Sequence, residues 1–338
     1  MYINTLIVLV TFNSEKFIEK CLESILFSDY KNWFLILIDN NSKDSTLSRI
    51  RNYIENSREL KGTNFGLINL DKNIGFSSAV NYAVFHIIMK EKPDLYKNIE
   101  YLILINPDLQ LDSKTLETLI QPFSQNELNY NKIGAVGGMI LEYEGNKIQH
   151  FGGDFSDNFI TYHLEQGKEF KKDNFGSKST QIQNLKEVNY VTGALFSTKF
   201  SIFKDMGGFD SGYRPVYFEE LDYCLKLKRI GMEIVVNPLS ISRHFEGASI
   251  EKFSANFYKY YHKNRVRCGL INYSIRNFFR LFLTRELEWL KHDATKEQYS
   301  ALAYAYFLNF LFLPYNLLVK FRNYLIIKKL SLKYNKFN

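Results

Sequence analysis

Asp108 closes a short apolar run, Tyr101-Leu102-Ile103-Leu104-Ile105, with Asn106-Pro107 between. A run of that length bounded by Pro reads as a buried strand, here 101–110. A carboxylate just past such a strand sits at the carboxyl edge of a sheet, where open α/β folds bind ligands. Carboxylate oxygens in that position suit a hard divalent cation. A second cluster, Glu219, Glu220 and Asp222, puts three carboxylates into four residues at the head of a helical stretch, 217–231. Lys226, Lys228 and Arg229 close that stretch, so dipole complementarity alone accounts for part of the pattern. Three carboxylates exceed what a cap needs, however, and mutual repulsion can lift one of them into the range of a general base. His244 follows in what reads as a loop, and a lone histidine is more often structural than functional. Polar residues also follow earlier apolar runs: Thr11 and Asn13, Asp39 and Asn41, then Asn73.

The elements that position these residues alternate. Strands are expected at 3–10, 33–38, 65–70 and 101–110. Helices lie between them: Phe17, Cys21, Leu22, Ile25 and Leu26 recur at helical spacing, and two further helices precede residue 56 and Pro93. Asn13 or Ser14 is a candidate cap for the first helix, and Ser42, Asp44 or Ser45 for the second. The order β-α-β-α-β-α-β implies a parallel sheet with right-handed crossovers, which brings the polar clusters to one edge. A helix at 113–124 and strands at 133–143, 188–200 and 232–238 follow. Residues 145–187 are polar and of low periodicity, an excursion of loops and short hairpins. A short helix closed by Gly207-Gly208 precedes the acidic cluster.

Composition bounds the rest. The chain has 338 residues, 46% apolar and 23% charged, as expected for a packed globular protein rather than a disordered one. Cys21, Cys224 and Cys268 are odd in number and far apart, which argues against a disulfide framework or zinc site and for a reducing compartment. The N-terminus lacks the charged region and cleavage site of a signal peptide. The net charge of +7 is uneven: residues 251–338 hold 16 Lys and Arg against 5 Asp and Glu, the first 250 hold 27 against 31. A basic, aromatic, helical tail suits an anionic membrane surface. Within it, residues 301–319 carry no charge but include Asn309, Pro314 and Asn316. An interfacial helix pair, a span, and helices packed on the protein or on a second copy all remain open for that stretch.

The ordered set VTFNSEKF, LIDNNSKDST, NIGFSSAVN, LINPDL, VTGALF, GGFDSGY, FEELDYCLKLKRIG and RHFEGAS resembles the family 2 glycosyltransferases, in particular the rhamnosyltransferase-like subgroup, over residues 3–265. The resemblance implies the GT-A fold: an α/β, Rossmann-like, mostly parallel sheet flanked by helices. It implies a catalytic domain over 1–250, with a nucleotide-sugar half to about 110 and an acceptor half beyond, and a helical region over 251–338. Thr11 and Asp39 would contact base and ribose, with Asn13 and Asn41 beside them. Asn73, Gly75 and Asn81 would shape the donor pocket. Asn106-Pro107-Asp108 takes the place of the family's DxD motif, so Asp108 would hold Mn2+ or Mg2+ and His244 would complete that site. Glu220 would be the base, Glu219 its companion in the acidic pair, and Asp222 a support or acceptor contact. Two departures stand out: Asn106 replaces the first Asp of DxD, and Glu220 replaces the more usual Asp.

The resemblance further implies inverting transfer of a hexosyl or deoxyhexosyl group from a UDP- or dTDP-sugar to a glycan or lipid-linked glycan, for surface polysaccharide. The expected setting is cytoplasmic, peripheral at the inner face of the membrane, without nucleic acid, and the aromatic C-terminal helices could form a homodimer interface. A nucleotidyltransferase would carry a glycine-rich, basic loop after the first strand, where this chain has TFNSEKF. No GxGxxG follows any strand, which removes a dinucleotide oxidoreductase. A degenerate, non-catalytic scaffold subunit is the remaining alternative, and Asn106 is the feature that favours it.

Overall fold

The structure is a computed structural model and describes residues 3–57, 64–124, 132–170, 185–245 and 253–334. The first half alternates β1 (Thr5–Thr11), α1 (Ile18–Leu26), β2 (Trp33–Asp39), α2 (Thr46–Asn56), β3 (Phe65–Asn69) and α3 (Phe76–Asn81). The last helix runs on as a wider π-wound segment, Tyr82–Glu91, into a turn of helix, α4 (Pro93–Tyr96). β4 (Tyr101–Ile105), β5 (Leu109–Leu111), α5 (Thr115–Ser124), β6 (Ile133–Glu142) and β7 (Ile148–His150) follow. Two short strands, β8 (Gly153–Phe155) and β9 (Thr161–His163), pair as a hairpin, and β10 (Lys186–Glu187) returns to the main sheet. The chain continues through β11 (Leu195–Lys199), α6 (Phe200–Met206), α7 (Glu219–Arg229) and β12 (Glu233–His244). It ends in helices: α8 (Ala255–Asn272), α9 (Ile275–Asn277), α10 (Thr284–His292), α11 (Tyr299–Leu311) and α12 (Leu313–Tyr334).

The main sheet has the order β10-β12-β6-β11-β4-β1-β2-β3. β3, β2, β1 and β4 are parallel in register, and β11 joins β4 antiparallel. Every residue of β1, β2 and β4 is buried, because helices cover both faces. Alternation along β1 divides its side chains: Leu6, Val8 and Val10 enter one apolar layer, Ile7 and Leu9 the other. The second layer is closed by α1, α2 and α5, the first by α3, α6, α7 and α8. Each fully buried Leu, Ile or Phe contributes about 1.5–3 kcal/mol. Val266, Cys268 and Ile271 of α8 belong to the same layer as β1 and β4.

Several sequence expectations are corrected. Neither Asn13 nor Ser14 caps α1, which begins at Ile18 behind Phe17 with no side-chain cap. Asn13 instead adopts a left-handed backbone (φ 51°) and staples two loops: its N–H donates to Ser42 Oγ (2.9 Å) and its Oδ1 accepts from Lys43 N (2.8 Å). The strand expected over 188–200 is confined to Leu195–Lys199, because residues 190–194 turn along the cleft described below. His244 is not in a loop. β12 runs past an irregularity after Asn237 and ends at His244, paired antiparallel to Leu109 of β5. Within the 145–187 excursion, residues 171–184 lie outside the described residues, as do Glu246 and Gly247 of the RHFEGAS motif and residues 335–338 of the basic tail.

Candidate active site

A cleft of about 1240 Å³ opens at the carboxyl ends of the parallel strands. Asn73, Gly75, Asn106, Asp108, Glu220 and His244 line it, brought together from four separate stretches of chain. Thr11, Asn13, Asp39, Asn41, Asn81, Glu219 and Asp222 do not reach its surface.

The wall formed by the ends of the parallel strands is a lattice of side-chain caps. The register that sets Thr11 beside Asp39 lets Thr11 Oγ1 donate to Asp39 Oδ1 (3.0 Å). The same carboxylate accepts from Ser42 N (3.0 Å) and Ser42 Oγ (2.5 Å), so it organises the loop after β2. Asn41, at φ 66°, accepts from Lys43 Nζ on the outside of that loop. Asn40 is the residue that turns into the cleft: its Nδ2 donates to Asn73 Oδ1 (3.0 Å), and its Oδ1 accepts from Ile74 N (2.9 Å). Asn73 Oδ1 accepts also from Gly75 N (2.9 Å). Gly75 needs its positive φ (82°) and lies where a Cβ would press on the Pro215 carbonyl. Asn81 sits behind this wall and clamps a distant segment, donating to Phe209 O (2.8 Å) and accepting from Phe209 N (3.0 Å).

Asp108 occupies the tight turn between β4 and β5, and pairing of β5 with β12 brings His244 beside it. Phe245 N donates to Asp108 O (3.0 Å), fixing that junction. His244 Nδ1 lies 2.9 Å from Gln149 Oε1. An amide oxygen only accepts, so Nδ1 carries a proton, and Nε2 lies 3.1 Å from Asp108 Oδ1. The two atoms are at ion-pair distance, yet both are buried and neither has a hydrogen-bond partner. A carboxylate oxygen and an imidazole nitrogen facing each other in a buried site are the donor types that can share a cation, and an amide that holds the other ring nitrogen is how metal-binding histidines are commonly oriented. Among the described residues no third His, Cys, Asp or Glu joins them. Mg2+ and Mn2+ commonly take only one or two protein ligands and complete their shell with phosphate and water oxygens, so the donor set fits that class of cation.

The adjacent carboxylates of α7 have different fates. Glu220 borders the cleft, and burial lifts its pKa to about 7 against the opposing backbone N–H groups of Glu220 and Gly193. Gly193 is required here, since a Cβ would overlap the Glu220 carboxylate. Glu219 is 0% exposed with neither carboxyl oxygen hydrogen-bonded; burial, and secondarily the charge of Glu220, push its pKa well above the usual range. Asp222 faces the core, ion-paired with Lys226 (2.6 Å) and accepting from Asn272 Nδ2 (2.8 Å), so it cannot touch an acceptor in the cleft.

The corner that aims Glu220 escaped the sequence reading. Tyr217 and Phe218 are consecutive left-handed residues (φ 82° and 78°), a strained arrangement for aromatic side chains. Asn264 of α8 holds that corner, its Nδ2 donating to the carbonyls of Tyr213 (2.6 Å), Val216 (2.9 Å) and Tyr217 (3.1 Å). Tyr217 packs edge-on to Phe257, and Phe218 against Tyr261, both on α8. Gly193 was visible within VTGALF, but nothing in the sequence pointed to Asn264, because its role exists only through the packing of α8.

The fold and cleft together define a GT-A glycosyltransferase: a mostly parallel, Rossmann-like sheet flanked by helices, with the cleft at its polar edge. A crystal structure of GalNAc-T7 with UDP, GalNAc and Mn2+ shares the fold with a TM-score of 0.60 at 15% identity, over 80% of this chain and 48% of that one. The chain belongs to glycosyl transferase family 2, whose sequence model matches residues 6–207. It is 23% identical over 262 residues to Rhamnosyltransferase WbbL of Escherichia coli (strain K12), covering 77% of this chain and 90% of that protein. It is 25% identical over 282 residues to the GalNAc(5)-diNAcBac-PP-undecaprenol beta-1,3-glucosyltransferase of Campylobacter jejuni, covering 75% and 80%.

Proposed function

We propose that the protein transfers a hexosyl or deoxyhexosyl group, with inversion, from a UDP- or dTDP-sugar to a hydroxyl of a glycan or lipid-linked glycan in surface polysaccharide synthesis. The observation that carries this reading is Glu220, a cleft carboxylate with a pKa near neutrality. At neutral pH a large fraction of it is ionised while it remains basic enough to take a hydroxyl proton. The acceptor oxygen, losing its proton to Glu220, bonds to the anomeric carbon as the bond to the diphosphate oxygen breaks. Asp108 and His244 would hold the divalent cation, which neutralises charge on the departing diphosphate. The Asn40–Asn73 lattice orients the donor, and the Tyr217 and Phe257 rings wall the acceptor side.

An undecaprenol-linked acceptor in the name of one relative supports a lipid-linked acceptor. The three cysteines are buried and free, consistent with action in the cytoplasm at the inner face of the membrane. Donor hydrolysis and transfer measured with and without Mn2+ test the reading. A non-catalytic scaffold would turn over no nucleotide-diphosphate sugar under either condition.

A further inference from the structure

The last two helices bury a mixed face, Ala301, Leu302, Ala305, Val319 and Leu330 together with asparagines, and leave large apolar side chains exposed. α11 and α12 meet at Phe312 with a bend of 70°. The side they bury carries Asn309, Asn316 and Asn323, spaced seven residues apart. Two of these asparagines have clear polar partners: Asn309 Nδ2 donates to Lys263 O and Ala305 O (2.9 Å each), and Asn316 Nδ2 to Asn309 Oδ1 (3.2 Å). Arg267 of α8 donates to Asn316 Oδ1. The side they expose carries Phe307, Phe310, Leu311, Phe312, Leu318 and Phe321, each between 52 and 78% exposed. Eleven of the eighteen large apolar side chains exposed among the described residues fall between 307 and 332. Single exposed apolar residues are ordinary, but a concentrated group marks a contact surface.

Charge selects the occupant. Residues 299–334 contain no Asp or Glu and five cations, Lys320, Arg322, Lys328, Lys329 and Lys333, all beyond the bend. A second copy would meet this face with the same positive charge, whereas an anionic bilayer complements both the apolar bend and the cations after it. The asparagine side stays fixed to α8, so one side of the pair is always protein. No single described helix is long and apolar enough to cross a membrane. We propose that the α11–α12 bend is a membrane-docking surface. Phe310, Phe312 and Leu318 sink into the headgroup–acyl boundary of an anionic bilayer while the exposed Arg322, Lys328 and Lys329 meet its headgroups; Lys320 and Lys333 are held by the Leu270 and Tyr273 carbonyls and by Asp205. The surface needs neither donor nor metal and stands apart from the reading of the cleft.

Sedimentation of the full chain with vesicles of phosphatidylcholine alone and of phosphatidylcholine with phosphatidylglycerol tests it. The wild type should bind the mixed vesicles, more weakly as salt rises. Phe310→Glu/Leu318→Glu should weaken that binding by about tenfold or more, with thermal midpoint and nucleotide binding unchanged, since both side chains are exposed. Lys328→Glu/Lys329→Glu should cause a smaller loss, confined to the mixed vesicles. The proposal is overturned if the wild type ignores both vesicles or if the apolar double variant binds like wild type. It is also overturned if the wild type is a dimer that this variant splits, which would assign the face to a second copy. Failure of the cleft reading would appear separately, as absent nucleotide binding with vesicle binding intact.

Discussion

The two walls of the cleft are built by different means. On the side proposed to face the donor, the side chains stand at or just past the ends of parallel strands, and neighbouring ones cap one another: Thr11 to Asp39, Asn40 to Asn73. On the opposite side, proposed to face the acceptor, Glu220 follows two left-handed aromatic residues and is aimed by a helix that enters the core after residue 255. The first wall follows from strand order alone. The second depends on one packing event, the seating of α8 beneath the 213–218 corner. Chemistry should therefore be robust to change in the donor lattice and brittle at the corner.

The largest effect is expected at the base itself. Glu220→Gln should keep donor affinity and lose transfer by about 10²–10⁴-fold. In the wild type, kcat/KM should rise with pH through about 7, because the ionised carboxylate accepts the proton and burial holds its pKa there. A pH profile that stays flat through neutrality, or near-normal turnover of the variant, would move the base elsewhere. Next comes the cation site. Asp108→Ala should weaken metal-dependent donor binding by several kcal/mol at most and leave metal-free binding little changed. Calorimetry with UDP-sugar, with and without Mn2+, reads this directly, and equal affinities in the two conditions would remove Asp108 from that role.

The corner gives the third effect and the sharpest test of the contrast. Asn264→Ala removes the donor to three carbonyls and should lower stability by about 1–3 kcal/mol. If Asn264 positions the base, kcat falls while KM for the donor holds, because the donor lattice is untouched. A purely structural role would lower the amount of folded enzyme without changing kcat per folded molecule.

How much of this was legible follows the same division. The β-α alternation placed Asp108 and the polar strand ends correctly at one edge, because parallel topology leaves few options. Sequence could not tell which of two adjacent residues turns inward, so Asn41 was chosen where Asn40 lines the cleft. It could not see that β12 would run on past Asn237 to carry His244 against β5, since that depends on long-range pairing. The resemblance singles out Glu220 among three neighbouring acids, but only the packing shows that Glu220 borders the cleft while Glu219 is enclosed and Asp222 pairs with Lys226 in the core. The basic, aromatic tail was readable from composition, but its buried asparagines were not, because a stripe of asparagines every seventh residue looks exposed until the helices are packed.

Glu219 should give the smallest effect on activity and the most instructive one. Its carboxyl is fully buried, and burial together with the nearby Glu220 charge raises its pKa well above the usual range, so in the folded enzyme it holds its proton to higher pH than an ordinary carboxyl does. The unfolded chain releases that proton at ordinary carboxylate pH. A folded pKa raised above the unfolded one contributes stability that is complete below the unfolded value and is lost as pH climbs toward the folded value. Glu219→Gln keeps shape and neutrality and removes the titration. Activity should stay within a few-fold of wild type, and the decline in thermal midpoint between weakly acidic and mildly alkaline pH should flatten. If Glu219 instead acts as an ionised partner of Glu220, the same variant loses transfer as steeply as Glu220→Gln, and the two carboxylates would have to be treated as one titrating unit.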